Sequence, residues 1–320
     1  MTDEIKNILD FHADDYGISK NSCDDILKLL SQGCLDSISV LPNMNTFEYA
    51  AGKLRQFNDD NPDKIPNVTV HLNFLEGHCC APAEDVSDLV DENGYFKISW
   101  GNLFKWNYSP LKRSKIRKQL VTEIKAQAKK CIDAGIVMPD NLRFDGHQHT
   151  HMIPLVFHAL LEVCDDFEMN GCKTTFIRNT EDALYPYYKS ARKARGLRKT
   201  FNKVNIVKCL ILNHYSRFVR KGLRKRNLPV PYLCGVFFSG HMDSERLLKV
   251  LPSYCRKPLA EKRGVELLFH PGTVLDSEIT DEFVKPDFNM FHTSFGRKIE
   301  YDSVMTLAGG LTFTIESNPC

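Results

Sequence analysis

The sequence predicts an α/β fold, an irregular (β/α) barrel of the TIM type, and three observations carry that expectation. Short β-branched or aromatic runs alternate with helical stretches, which argues for a parallel sheet with helices packed outside. The 320 residues suffice for one large domain over 1–320, and no repeat, low-complexity tract or linker divides them. Ionisable residues gather at the ends of several runs, on the face where parallel α/β folds bind ligands. A doubly wound open sheet is the alternative.

Eight strand candidates follow in order: Ile8–Ala13, Asp36–Leu41, Asn67–Asn73, Leu142–Gly146, Thr174–Arg178, Leu233–Ser239, Val265–His270 and Leu311–Ile315. Helical periodicity fills the gaps at Asn21–Leu30, Thr46–Arg55, Lys112–Ala134, Leu155–Phe167 and Ser244–Leu251. Between the fifth and sixth strands, about 183–230, lies a helical insertion with many Lys and Arg and no Asp or Glu from Ala183 to Leu228. It reads either as a solvated flap over the site or as a contact for an anionic membrane surface or a lipid-linked glycan.

Composition narrows the class. Hydrophobic residues make up 42% and charged residues 26%, with a net charge of +2, as in an ordinary soluble enzyme. Near-balance of charge and the lack of a base-reading motif exclude nucleic acid. No signal peptide is read at the N-terminus, and no apolar run approaches the roughly 18 residues a membrane span requires. Eleven scattered cysteines without a CxxC pair read as free thiols in a reducing compartment. The expectation is a cytoplasmic protein, peripheral at a membrane if the basic insertion touches one; a homo-oligomer is left open.

The motifs supply the chemistry. His12-Ala-Asp14-Asp15-Tyr-Gly17 puts two adjacent carboxylates at a strand end, where a divalent cation relieves their repulsion. Their sequential side chains are expected to diverge, one to a metal and the other to water; alternatively, one caps the helix starting near Ser19. His71 ends an apolar strand, a setting equally suited to a hydrogen-bonded core histidine. The run Asp145-Gly-His147-Gln-His149-Thr-His151 is the strongest local signal. In extended backbone its three imidazoles share one side; in a helix His147 and His151 share a face. His270, before Pro271-Gly272, is suited to donate a proton. A carboxylate, two histidines, a second carboxylate and a further histidine match metal-assisted amide or ester hydrolysis.

The series HADDYG, TVHLNF, DGHQHTHM and LFHPG, in this order, resembles the YdjC/ChbG-type carbohydrate deacetylases, a family related in design to the polysaccharide deacetylases. The resemblance implies a distorted (β/α) barrel that removes acetyl groups from N-acetylglucosamine-type sugars. It implies Asp15, His71 and His147 as metal ligands, Asp14 as general base and His270 as general acid. Asp145, His149, His151 and Arg178 fall to supporting or substrate-facing roles. Gln148 stands where the family commonly has histidine. One divalent ion is implied, magnesium or zinc first, with manganese or cobalt compatible. Two other classes remain: a non-catalytic metal- and sugar-binding barrel, for which Asp14 and His270 are superfluous, and a metal-dependent phosphoesterase, which would bring more acidic ligands than a single carboxylate pair. Trp100, Trp106 and Tyr108, on the long loop after the third strand, stack on a sugar ring or pack the loop.

Overall fold

A computed structural model describes residues 3–283 and 285–310. The strands are β1 (Leu9–Tyr16), β2 (Ser37–Val40), β3 (Asn67–Leu72), β4 (Leu142–Gly146), β5 (Thr174–Ile177), β6 (Tyr232–Cys234) and β7 (Val265–Phe269). Strands covered on both faces can bury every residue, and β2, β6 and β7 do so throughout. All pairings are parallel, in the order β5-β4-β3-β2-β1-β7-β6. The sheet curls as a TIM-like partial barrel whose open edges are β5 and β6.

Five predicted helices appear, as Lys20–Ser31, Phe47–Asp60, Arg113–Asp133, Pro154–Met169 and Ser244–Tyr254. The first is capped by Ser19, whose hydroxyl accepts the Ser22 N–H, so neither Asp14 nor Asp15 serves as that cap. The sixth strand is shorter than expected. Past Cys234 the chain turns at Gly235, where an added Cβ would lie 2.6 Å from the Leu268 Cβ, and Asp182 captures the Phe237 N–H. The candidate strand Leu311–Ile315 lies outside the described residues.

The seam between β5 and β6 is bridged by the chain just after β5. Leu233 donates its N–H to the Glu181 carbonyl at 3.1 Å. Asp182 accepts from the Phe237 N–H, the Tyr187 hydroxyl and the Tyr254 hydroxyl at 2.9, 2.9 and 3.0 Å. The insertion emerges here as the helices Leu184–Lys193 and Lys203–Lys225. Trp100, Trp106 and Tyr108 belong to the helix Trp100–Asn107 and its cap, not to a loop. They line no part of the cleft described below; Trp100 and Tyr108 pack against Tyr215 of the insertion. The ten described cysteines are free thiols.

Candidate metal centre and cleft

The carboxyl ends of β1, β3, β4 and β7 converge on a cleft of about 820 Å³. Asp14, Asp15, His71, His147, His149 and His270 all line it. Two adjacent strand residues normally face opposite sides, yet Asp14 and Asp15 both reach this cavity. The reason is a β-bulge: Ala13 pairs with Ile38 and Tyr16 with Val40, so β1 holds one residue more than β2 across this interval. Asp15 adopts a left-handed φ of 65°, which turns its side chain back into the cleft. The expected divergence of the pair is thus replaced by convergence.

Arg178, at the end of β5, grips Asp14 with two N–H bonds of 2.9 and 2.8 Å. The same guanidinium reaches Asp145 at 2.7 Å and Glu266 at 2.6 Å. Burial alone would raise the Asp14 pKa, but the Arg178 charge overrides it and holds the carboxyl well below its usual range. Asp15 behaves likewise: burial is outweighed by its bonds to His147 and His71 and by Arg297, whose Nη1 donates to Oδ2 at 3.0 Å.

His71 is aligned by strand register, which sets it beside Asp145 on β4. Its Nδ1 lies 2.6 Å from Asp145 Oδ1, leaving Nε2 3.5 Å from Asp15 Oδ1. Burial opposes its charging, but Asp145 and Asp14 prevail and its pKa is raised to about 10. His147 follows the extended Gly146, with Nδ1 3.1 Å from Asp15 Oδ1 and Nε2 3.1 Å from Glu76 Oε2. Glu76 also touches His292 Nε2 at 3.0 Å; despite burial, these imidazoles lower its pKa to about 2.

The three histidines after β4 part company. Gln148 and His149 take left-handed φ values of 51° and 58° inside a short 3₁₀ segment, so the backbone is neither extended nor α-helical. His149 stays in the cleft wall, and burial with the nearby charge of Lys208 keeps it neutral. His151 turns into the core, its Nε2 3.1 Å from the Arg178 carbonyl, and does not line the cleft.

His270 is set by the helix Phe295–Gly310. Glu300 accepts the His270 N–H at 2.6 Å and lies 3.4 Å from its Nδ1. One turn earlier, Arg297 donates to the Gly272 carbonyl and to Asp15, so one helix face braces both sides of the site. Gly272 has a φ of 98° and no space for a Cβ beside Ser22. The insertion contributes Asn205 and Lys208 to the opposite wall.

Sequence reasoning missed Glu76, Glu266, His292, Arg297, Glu300 and Lys208. His12 stood in a quoted motif without a role; it lies 3.0 Å from Glu266 and 3.6 Å from Asp14. Nor is the acidic inventory the single pair read from sequence, since Glu76, Asp145 and Glu266 join it. Among the described residues, three groups have donor atoms close enough to share a cation: Asp15, His71 and His147; Glu76, His147 and His292; and His12, Asp14 and Asp145.

The family model described as "YdjC-like protein" matches residues 9–306. Among similar curated proteins, a carbohydrate deacetylase of Brevibacillus brevis is 25% identical over 159 residues, 49% of this chain and 56% of that one. The match thus spans little more than half of that relative's length. A carbohydrate deacetylase of Xenopus laevis is 22% identical over 270 residues, covering 81% of this chain and 79% of its own. In fold, the chain is similar to an Enterococcus faecalis crystal structure provisionally described as a cellobiose-phosphate cleavage protein. The TM-score is 0.56 at 18% identity, over 92% of this chain and 94% of that one.

Proposed function

The chain belongs to the YdjC-like family, and from that premise we propose that it is a metal-dependent hydrolase removing acetyl groups from N-acetylated sugars. The observation that carries the reading is the buried group of Asp15, His71 and His147. Metal–nitrogen and metal–oxygen bonds of about 2.0–2.2 Å place neighbouring ligand atoms roughly 3.0–3.5 Å apart. Asp15 Oδ1 lies 3.1 Å from His147 Nδ1 and 3.5 Å from His71 Nε2. Each imidazole has its other nitrogen against a carboxylate, Asp145 for His71 and Glu76 for His147. This is the arrangement that orients metal-binding histidines.

Charge balance points the same way. Asp14, Asp15, Glu76, Asp145 and Glu266 are all buried in one connected cluster, against the two guanidiniums of Arg178 and Arg297. Buried charge of one sign is costly unless neutralised, so the cluster favours a cation or protonated imidazoles.

A divalent ion held by Asp15, His71 and His147 would polarise the acetyl carbonyl and lower the pKa of water. Asp14, kept ionised by Arg178, takes the proton from the attacking water. His270, held through Glu300, returns a proton to the departing sugar amine. Donor chemistry suits zinc and also admits magnesium, manganese or cobalt.

The test is acetate release from N-acetylated saccharides with each cation, together with metal analysis. Asp14→Asn and His270→Ala should each lower turnover by about 10²–10⁴-fold with metal content unchanged. Either variant retaining full turnover would overturn its assigned role. One ion per chain is expected; two ions with phosphate ester cleavage would favour the phosphoesterase reading.

A further inference from the structure

The charge of this chain is strongly polarised. Residues 183–228 hold fourteen Lys and Arg and no acid, whereas the remainder holds 28 Lys and Arg against 40 Asp and Glu. Within 183–228 only Arg220 and Arg226 form ion pairs with carboxylates of the described residues.

The helix Lys203–Lys225 sorts its residues by face. Cys209, Leu212, Tyr215, Ser216, Val219 and Leu223 are buried. Val204, Val207, Ile211 and Phe218 are exposed, spaced by three, four and seven residues, and so form one outward stripe, with Leu210 also exposed alongside it. The stripe continues into Lys221 and Lys225, flanked by Arg217 and Arg224, all exposed.

Its apolar end meets the cleft. Val204 lines the cleft and is 73% exposed. Another part of the lining carries Met290, 67% exposed, and Phe295, 71% exposed, lies between the lining residues Ser294 and Gly296. With the helix stripe they leave exposed apolar side chains gathered at and beside the cleft, and gathered exposed apolar surface marks an interaction site.

We infer that this face docks on an anionic lipid bilayer, with the apolar residues at the cleft mouth entering the interface and the helix cations on the headgroups. The combination of an apolar stripe with uniformly positive flanks fits a negative lipid surface. A twofold pairing of the same face in two copies would oppose like charges. Docked in this way, the cleft receives the sugar of a membrane-anchored N-acetylated glycolipid, a substrate class that rests on the deacetylase reading.

The test is co-sedimentation of the full chain with phosphatidylcholine vesicles, with and without phosphatidylglycerol. The chain should pellet only with the anionic vesicles. Replacing Arg217, Lys221, Arg224 and Lys225 by Ser should weaken that partition by about a thousandfold. Val207→Ser with Leu210→Ser should weaken it by about tenfold. None of these six positions lines the cleft, so acetate release from a soluble N-acetylated sugar should be unchanged in both variants. A chain that ignores both vesicle types, or variants that pellet like the parent, would overturn the inference. So would a dimer in sedimentation velocity, abolished by Val207→Ser with Leu210→Ser, without vesicle binding. Because the vesicle readout needs no turnover, its failure is distinct from failure of the proposed chemistry.

Discussion

Asp14 and Asp182 are both fully buried carboxylates, and their surroundings drive them in opposite directions. At the cleft floor, Asp14 faces a guanidinium and two imidazoles, and burial loses to the Arg178 charge. At the β5–β6 seam, Asp182 meets only neutral donors: hydroxyls of Tyr187 and Tyr254 and the Phe237 amide. There burial wins, and the Asp182 pKa is raised to about 6. Donor charge, more than depth, decides whether a buried acid stays ionised. The floor is thereby held ionised, while the seam is fastened by a group that titrates in mildly acidic solution.

The largest expected effect breaks the floor. Arg178→Met leaves Asp14, Asp145 and Glu266 without their shared cation and should cost at least about 3–5 kcal/mol in urea unfolding. A loss below about 1 kcal/mol would remove the charge-pairing account of the floor.

Next comes the seam. A folded pKa raised from 3.8 to about 6 means that Asp182 contributes its full stabilisation below the unfolded value and loses it as pH rises through about 6. The stability difference between the parent and Asp182→Asn should therefore shift against the parent by on the order of 2–3 kcal/mol between pH 3.5 and pH 7. A pH-independent difference would contradict the contrast with Asp14.

The smallest effect sharpens an intermediate case, Glu76, whose carboxylate lies against the imidazoles of His147 and His292. Glu76→Gln should weaken metal binding by about 10–100-fold in a chelator competition. Unchanged affinity would mean that His147 needs no carboxylate behind it.

What the sequence disclosed was the floor. Apolar runs located β1 to β5 and β7, and the ionisable residues at their ends, Asp14, Asp15, His71, His147 and His270, do meet in one cleft. Periodicity could not reveal the bulge that brings Asp15 beside Asp14, since one extra residue in a strand leaves no compositional trace. It also misread the run after β4, where left-handed Gln148 and His149 send His151 into the core. Glu76, Arg297 and Glu300 were illegible for another reason. Arg297 meets Asp15 across 282 positions and His292 meets Glu76 across 216, distances that only the finished fold closes. The apolar stretch after Cys234 looked like strand, but close packing at Gly235 and the Asp182 carboxylate turn it aside.

The break between β5 and β6 has an architectural consequence. A long segment leaves and rejoins the sheet at a place where no strand-to-strand ladder must be interrupted, and it returns bearing Asn205 and Lys208 as one wall of the cleft. The floor of the cleft and that wall therefore come from different stretches of the chain, joined through one continuous hydrophobic core. Substitutions at Asn205 and Lys208, which face the cleft from that wall, change what enters it without touching β1, β3, β4 or β7.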